Sequence, residues 1–171
     1  MKERTIPPQG APSGRRIAGR AQDDHLIDPY QRQRKLHEPT VCPQCKAVYH
    51  DGAWRWAPRP ADAAEAVCPA CRRAGENQPA GIVTLSGPVV GQHAAEILHL
   101  IRHQEDLEKD DHPMNRIIAI DQKPEEITVT TTDVHLPRRI GEAMRHAFHG
   151  DLDLDYDEHG YFVRVNWSRP A

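Results

Sequence analysis

Two Cys-x-x-Cys pairs account for every cysteine in this 171-residue chain. The pairs are Cys42 with Cys45 and Cys68 with Cys71, and 22 residues separate them. A tetrahedral zinc ion needs four ligands, and a two-residue gap lets one tight turn present two sulfurs to the same ion. The sequence therefore predicts one Zn²⁺ site, with a disulfide or a redox-active Cys-x-x-Cys as the alternatives.

The predicted site is structural, because four protein ligands leave no open coordination position for catalysis. Pro43 and Pro69 follow the first cysteine of each pair, which predicts that both pairs form copies of one knuckle. The chain offers little else for catalysis, since its three serines lie outside any nucleophile-elbow motif and no phosphate-binding loop is present. We therefore expect neither an enzyme nor a nucleotide cofactor.

The first 38 residues contain many prolines, glycines and arginines, and their apolar residues follow no period. Such a segment buries too little apolar surface to offset the entropy of ordering, so we predict a disordered basic arm over residues 1–38. The clustered cations of this arm are Arg15, Arg16, Arg20, Arg32, Arg34 and Lys35.

Residues 39–80 are predicted to form a four-cysteine zinc ribbon of the treble-clef type. Asp51-Gly52 is centred between alternating residues, which is the strongest short-range signal for a hairpin. Pairing about this turn places Tyr49 opposite Trp54, so one face of the ribbon is aromatic. The polar stretch 72–80 is predicted to be a linker.

Residues 81–171 show the order strand, helix, strand, strand, helix, strand, strand. The clearest of these elements are a strand at 82–86, a helix at 93–109 and two strands at 116–121 and 127–132. This order predicts an α+β fold, a ferredoxin-like β-α-β-β-α-β-β layer with one added terminal strand and both helices on one face of the sheet.

Aromatic and basic residues on the predicted hairpin indicate a surface for RNA. Guanidinium groups contact phosphates, and exposed rings stack on bases. Trp54 and Arg55 are the candidate RNA-binding residues of the ribbon, together with the six clustered cations of the arm. The alternative for Trp54 and Trp56 is that their rings cover the zinc site, because so small a ribbon has no other core.

The net charge of −3 is divided unevenly along the chain. Residues 1–80 carry 13 Lys/Arg against 9 Asp/Glu, whereas residues 81–171 carry 9 against 16. The acidic second half argues against its wrapping RNA and favours a basic protein partner. No stretch approaches the roughly 18 apolar residues of a membrane helix, and no signal peptide is recognisable, so we expect a cytoplasmic protein without membrane contacts.

His99 and His103 have the four-residue spacing of a helical metal pair, with Glu96 one turn earlier. No third ligand is evident nearby in the sequence. Whether this pair binds a second metal is left open.

Four segments of the chain together resemble known families. They are Asp28-Pro-Tyr, Pro39-Thr-Val-Cys-Pro-Gln-Cys-Lys-Ala-Val-Tyr, Gly52-Ala-Trp-Arg-Trp and Thr130-Thr-Thr-Asp-Val-His-Leu-Pro-Arg-Arg-Ile-Gly-Glu-Ala. Over residues 25–167 the chain resembles a family of short proteobacterial zinc-ribbon proteins of unassigned function. More distantly, it is similar to the large-subunit ribosomal export adaptor of archaea and eukaryotes that is named for nonsense-mediated decay.

The second resemblance implies ribosome binding, and it carries over only the four cysteines and the region Asp133–Gly141. The adaptor has two metal sites where this chain has cysteines for one, and its β-barrel domains and export signals have no counterpart here. Export is therefore not implied. The sequence favours a non-enzymatic zinc-ribbon adaptor that binds ribosomal or other structured RNA, and the alternative is a protein–protein interaction module that uses the acidic α+β domain.

Overall fold

A computed structural model describes Tyr30 and residues 36–171 of the chain. The described part contains four helices and two sheets of mixed strand direction, which confirms the predicted α+β class. The predicted disorder of the basic arm falls mainly on residues 1–29 and 31–35, which lie outside the described residues.

The first sheet belongs to the cysteine-bearing segment, and its strands follow the order β3-β2-β1-β4. The strands are β1 (Thr40–Val41), β2 (Val48–His50), β3 (Ala53–Arg55) and β4 (Ala64–Glu65). Strands β2 and β3 form the predicted hairpin, in which Tyr49 lies opposite Trp54. Both turn residues, Asp51 and Gly52, have positive φ, as a tight two-residue turn requires. The Glu38 carboxylate accepts hydrogen bonds from both of their N–H groups at 3.1 Å and so holds the incoming chain against the turn.

A helix, α1 (Pro69–Glu76), starts at the second cysteine pair. The Cys68 sulfur caps it by accepting a hydrogen bond from the N–H of Cys71 at 3.3 Å. Pro69 takes the first helical position, where its missing N–H costs nothing. Asn77 adopts the left-handed conformation that commonly ends a helix.

The prediction of a polar linker over residues 72–80 was therefore wrong for its first half. The helix buries only Ala70, Cys71 and Arg73, so its sequence shows no apolar stripe. Besides one alanine, its buried side chains are a cysteine and an arginine, which do not form an apolar pattern in the sequence.

The second sheet has five strands in the order β6-β7-β5-β9-β8. The strands are β5 (Gly81–Ser86), β6 (Ile117–Lys123), β7 (Glu126–Thr131), β8 (Asp151–Tyr156) and β9 (Val163–Ser168). The helices of this domain are α2 (Pro88–Gln92), α3 (Ala94–Asp111) and α4 (His135–Phe148). The Asp133 carboxylate caps α4 by accepting hydrogen bonds from the N–H groups of His135 and Leu136.

The ferredoxin-like prediction matches this sheet up to α4 and fails at the last two strands. β7 lies between β5 and β6 and is antiparallel to both, as in a split β-α-β unit. The chain then places β8 at the sheet edge, and β9 returns between β8 and β5, parallel to β5. Val163, Val165 and Trp167 are fully buried in β9, whereas the leucines of β8 are only partly buried. The more apolar of these two strands thus takes the interior position, and β8 takes the edge.

One apolar core lies between this sheet and its helices. The sheet contributes Val83, Leu85, Ile127, Val129, Val165 and Trp167, and the helices contribute Ile97, Ile101, Leu136, Ile140 and Met144. Helices α3 and α4 contact each other as well as this core, so they cover the same face of the sheet. Gly141 allows the close approach of α4, because a Cβ there would lie 2.7 Å from side-chain atoms of Leu152 and Val165.

An ion pair joins the two long helices. The Glu108 side chain is 8% exposed, and its carboxylate accepts hydrogen bonds from Arg139 at 2.6 Å and from Asn115 at 2.9 Å. Burial raises the pKa of the Glu108 carboxyl, but these two donors outweigh burial and hold the pKa below its usual value.

Replacing Glu108 with Gln should lower the free energy of unfolding at neutral pH by about 1–3 kcal/mol, because the hydrogen bonds from Arg139 and Asn115 lose their negatively charged acceptor. The folded-state pKa of Glu108 is lowered, so its stabilising contribution is present above the unfolded pKa and is lost as pH falls through the folded pKa. Urea unfolding should show a difference from wild type that shrinks in acid. Arg138→Gln, at the exposed Arg138–Glu142 pair, is the control and should change stability little. A pH-independent difference would contradict this account.

Candidate metal centre

The four cysteine sulfurs form one cluster, in which all ligand atoms lie within 4.8 Å of one another. The Sγ atoms of Cys45 and Cys68 are 3.7 Å apart. Four sulfurs at about 2.3 Å from a tetrahedral ion lie about 3.8 Å from each other, so this spacing fits a single ion. All four cysteines are free, and a disulfide would need about 2.05 Å between sulfurs. The cluster can therefore hold one metal ion.

The two cysteine pairs reach the cluster from different local structures. Cys42 and Cys45 lie on a turn after β1, in which Lys46 donates its N–H to the Cys42 carbonyl at 2.9 Å and has a φ of 69°. Cys68 and Cys71 instead lie at the start of α1. The prediction of two identical knuckles was wrong. The shared Cys-Pro-x-Cys sequence is compatible with both structures, because proline suits a tight turn and also the first position of a helix.

Backbone N–H groups point at the sulfurs. The N–H of Cys68 donates to Cys42 Sγ at 3.4 Å. Burial raises the pKa of the Cys42 thiol, but nearby N–H groups, including those of Cys45 and Gln44, outweigh it and lower that pKa to about 7. Burial raises the pKa of both the Cys68 and the Cys71 thiols. A metal ion bound at the four sulfurs would favour the thiolate form of Cys68 and Cys71, because only deprotonated thiols bind metal well.

Apolar side chains from both modules surround the cluster. Trp54, Val67 and Met114 pack against it. The Trp54 ring also contacts the Tyr49 ring, with centroids 5.5 Å apart. Trp54 therefore lies where the alternative interpretation put it, over the cysteines, and it is partly buried rather than fully displayed.

Arg55 and Trp56 are exposed. Arg55 donates from its guanidinium to the carbonyl of His50 at 2.9 Å, so its remaining N–H groups face solvent. Trp56 is 40% exposed and donates its ring N–H to the carbonyl of Lys109 at 2.7 Å. That bond ties the end of the hairpin to α3. The remaining predicted RNA-binding residues, Arg15, Arg16, Arg20, Arg32, Arg34 and Lys35, lie outside the described residues.

Arg116 is the residue of this centre that sequence reasoning missed. It lies between α3 and β6, and its Nη2 is 3.2 Å from the sulfur of Cys68 and 3.5 Å from the sulfur of Cys71. These cysteines precede it by 48 and 45 residues. No motif links the two segments, so nothing in the sequence marks this arginine.

The other candidate ligands do not form a second centre among the described residues. The rings of His99 and His103 stack with centroids 6.5 Å apart on the exposed side of α3, and no third ligand joins them there. A further group, Glu38 with His50 and Asp51, is fully exposed, and Glu38 is already bonded to the hairpin turn.

A cleft of about 860 Å³ separates the hairpin from the start of α4. Tyr49 and Trp54 line one side, and Glu108, Arg138 and Arg139 line the other. Both of these arginines pair with carboxylates of the same domain. The cleft therefore marks the boundary between the two modules, and its charges are largely satisfied within the protein.

No family model matches this chain, and neither a curated protein nor a solved structure shows significant similarity to it. The two family resemblances therefore stay predictions. The longest helix within the described residues is α3, with 18 residues, and neither it nor a shorter one is apolar enough to span a bilayer.

Replacing Cys68 with Ser should abolish stoichiometric metal binding, because it removes one of the four thiolate ligands while the serine hydroxyl can still cap α1. Metal content measured by mass spectrometry after gel filtration should fall from one ion per chain to near zero. The matched control is Gln44→Ser, which changes the same cluster region without removing a ligand and should keep the ion. A serine variant at position 68 that retains a full equivalent of metal would argue against the site.

Proposed function

We propose that the ion at this centre is Zn²⁺ and that its role is structural. A closed set of four thiolates is typical of structural zinc, with iron as the main competitor for such a site. The strands of the cysteine-bearing sheet are only two or three residues long. Around the cysteines, the fully buried apolar side chains of this module are small ones, Val41, Ala47, Val48 and Ala70. The ion would therefore supply cohesion that this small core cannot.

The protein as a whole is, in this proposal, a non-enzymatic adaptor that binds ribosomal or other structured RNA. It does so through the cysteine-bearing residues 36–80, which we call the zinc module. The observation that carries the proposal is the attachment of a basic segment to that module. Tyr30 lies against α1, where its ring is 4.2 Å from the Arg73 guanidinium and 5.6 Å from that of Arg72. Leu36 lines the cleft beside the hairpin. The five positions between Tyr30 and Leu36 include Arg32, Arg34 and Lys35.

These cations are thus covalently linked on both sides to residues that lie on the zinc module. Arg55 on β3 and Arg72 on α1 add exposed positive charge to the same module. Residues 36–80 are balanced, with 5 Lys/Arg against 5 Asp/Glu. Residues 1–35 carry 8 Lys/Arg against 4 Asp/Glu, whereas residues 81–171 carry 9 against 16. Phosphates are attracted to residues 1–35 and repelled by residues 81–171, which favours RNA contact on the zinc-module side.

A second candidate function is binding of a basic protein partner by the α+β domain. The observation that favours it is the edge strand β8, which among the described residues pairs with β9 alone. Asp151, Asp153 and Asp155 are exposed along this strand and share one face of the sheet. Such a row complements a basic segment, and it also protects an open edge from unwanted strand pairing.

Metal analysis of the chain purified without added metal should give one zinc per chain, because zinc suits a closed tetrahedral thiolate site and needs no redox partner. An iron-bound chain would instead be coloured by thiolate-to-iron charge transfer. Stoichiometric iron, or a folded zinc module without any metal, would contradict the proposal.

Replacing Arg32, Arg34 and Lys35 together with Gln should weaken RNA binding and reduce its salt dependence. The slope of the logarithm of the binding constant against the logarithm of salt concentration should become shallower by about one unit for each phosphate that a cation no longer neutralises. The measurements are co-sedimentation with ribosomal particles and filter binding to ribosomal RNA fragments over a range of salt. The wild-type chain should bind at low salt and dissociate at high salt.

The matched control neutralises three exposed cations of the α+β domain, Arg102, Lys123 and Arg164, and changes the net charge equally. It should bind RNA as wild type does. A wild-type chain that binds neither particle nor RNA at low salt would refute the adaptor proposal. If Asp151→Asn, Asp153→Asn and Asp155→Asn together abolish partner capture while the arm variant does not, the second function is the correct one.

A further inference from the structure

Arg116 reaches across from the α+β domain to the metal ligands. Its Nη2 approaches both sulfurs of the helix-side pair, at 3.2 Å for Cys68 and 3.5 Å for Cys71. N–H groups of a cation that point at thiolates form charge-assisted hydrogen bonds, which are about twice as strong as neutral ones. The contact therefore joins two modules at the ligands themselves.

The backbone of Arg116 is fixed to the sheet of the α+β domain. Its N–H donates to Thr132 Oγ1 at 2.9 Å, and its carbonyl accepts from the N–H of Thr132 at 2.8 Å. Thr132 directly follows β7 and is buried. The position of the guanidinium is thus set by the α+β sheet, and the cysteines meet it only when the two modules are docked.

The charge of the centre explains why a cation is needed there. Four thiolates around one divalent ion carry a net charge of −2, and Arg116 offsets half of it. The Arg116 side chain is partly buried, and its Nε is buried without a hydrogen-bond partner among the described residues. Exclusion of water strengthens the attraction between guanidinium and sulfur, and it makes an unpaired guanidinium costly.

Other contacts at this junction come from the same short segment of the α+β domain. Met114 packs against the cysteine cluster, and the carbonyl of Lys109 accepts the ring N–H of Trp56 at 2.7 Å. Residues 109–116 therefore supply an apolar, a hydrogen-bonding and a charged contact to the zinc module. Of these, the charged contact is the one that depends on thiolates.

We propose that Arg116 is an outer-sphere residue of the metal centre that couples metal retention to docking of the α+β domain. It orients and partly neutralises the thiolates of Cys68 and Cys71, and the metal-bound thiolates in turn hold the domain in place. The inference rests on a metal ion at the four cysteines and is independent of RNA binding.

Arg116→Met should release the metal faster, because the apolar side chain keeps the volume and removes both N–H···S contacts. Loss of an outer-shell partner typically costs 10–100-fold in metal affinity, so transfer to a chromophoric chelator should accelerate by about that factor. Arg116→Lys keeps the charge and should restore part of the effect. The control Arg164→Met removes an exposed arginine that stacks on Phe162 and should release metal at the wild-type rate.

A spectroscopic readout separates this role from general destabilisation. In the Co²⁺-substituted chain, the thiolate-to-metal charge-transfer band should shift in Arg116→Met and stay unchanged in Arg164→Met. Hydrogen bonds to sulfur lower the energy of the sulfur electrons that take part in this transition, so their loss moves the band. Wild-type release kinetics together with a wild-type band in Arg116→Met would overturn the proposal.

A measurement on the wild-type chain covers the case in which Arg116→Met does not fold. Removing the metal with a chelator should speed hydrogen exchange at the indole N–H of Trp56, which bonds the Lys109 carbonyl across the junction, and leave the amides between β8 and β9 unchanged. Unchanged exchange at the Trp56 indole after metal removal would overturn the coupling. A wild-type chain that binds no metal would overturn both this inference and the metal site, whereas failure to bind RNA would touch only the adaptor proposal.

Discussion

The convergence of four sulfurs on one point is the constraint on which the cysteine-bearing module depends. Its strands are two or three residues long, and the side chains buried around the cysteines are mostly small. Burying so few and such small apolar side chains stabilises the module by less than the conformational entropy that its residues lose on folding. In the proposed site, metal–thiolate bonds would supply what the core lacks, and they would also fix the relative positions of the β1 turn, the hairpin and the start of α1.

The α+β domain has no such dependence, since a contiguous core of Val, Ile, Leu, Met and Trp side chains fills the space between its sheet and helices. The two modules meet at the metal centre, where Trp56, Met114 and Arg116 connect them. The two modules differ in charge: residues 36–80 carry 5 Lys/Arg against 5 Asp/Glu, whereas residues 81–171 carry 9 against 16, with exposed aspartates along β8.

Local signals in the sequence were sufficient wherever a feature depends on neighbouring residues. Asp51-Gly52 predicted both the hairpin and the register that pairs Tyr49 with Trp54. Periodicity found the order of strands and helices after Gly81 apart from the five-residue α2, because alternation and helical spacing report which face of an element is buried. Periodicity also missed α1, whose buried face is an alanine, a cysteine and an arginine. It could not find the place of β9, because alternation does not say which strand is a neighbour.

The sequence by itself determined the ligand set, the hairpin and the α+β class, since each is encoded by spacings of a few residues. Only the tertiary structure decided that the second cysteine pair starts a helix, that β9 is an interior strand of its sheet, and that Arg116 faces the sulfurs of Cys68 and Cys71. The physical reason is the range of the interactions: a contact between residues 48 positions apart depends on how two modules pack, and that packing leaves no local pattern in the chain.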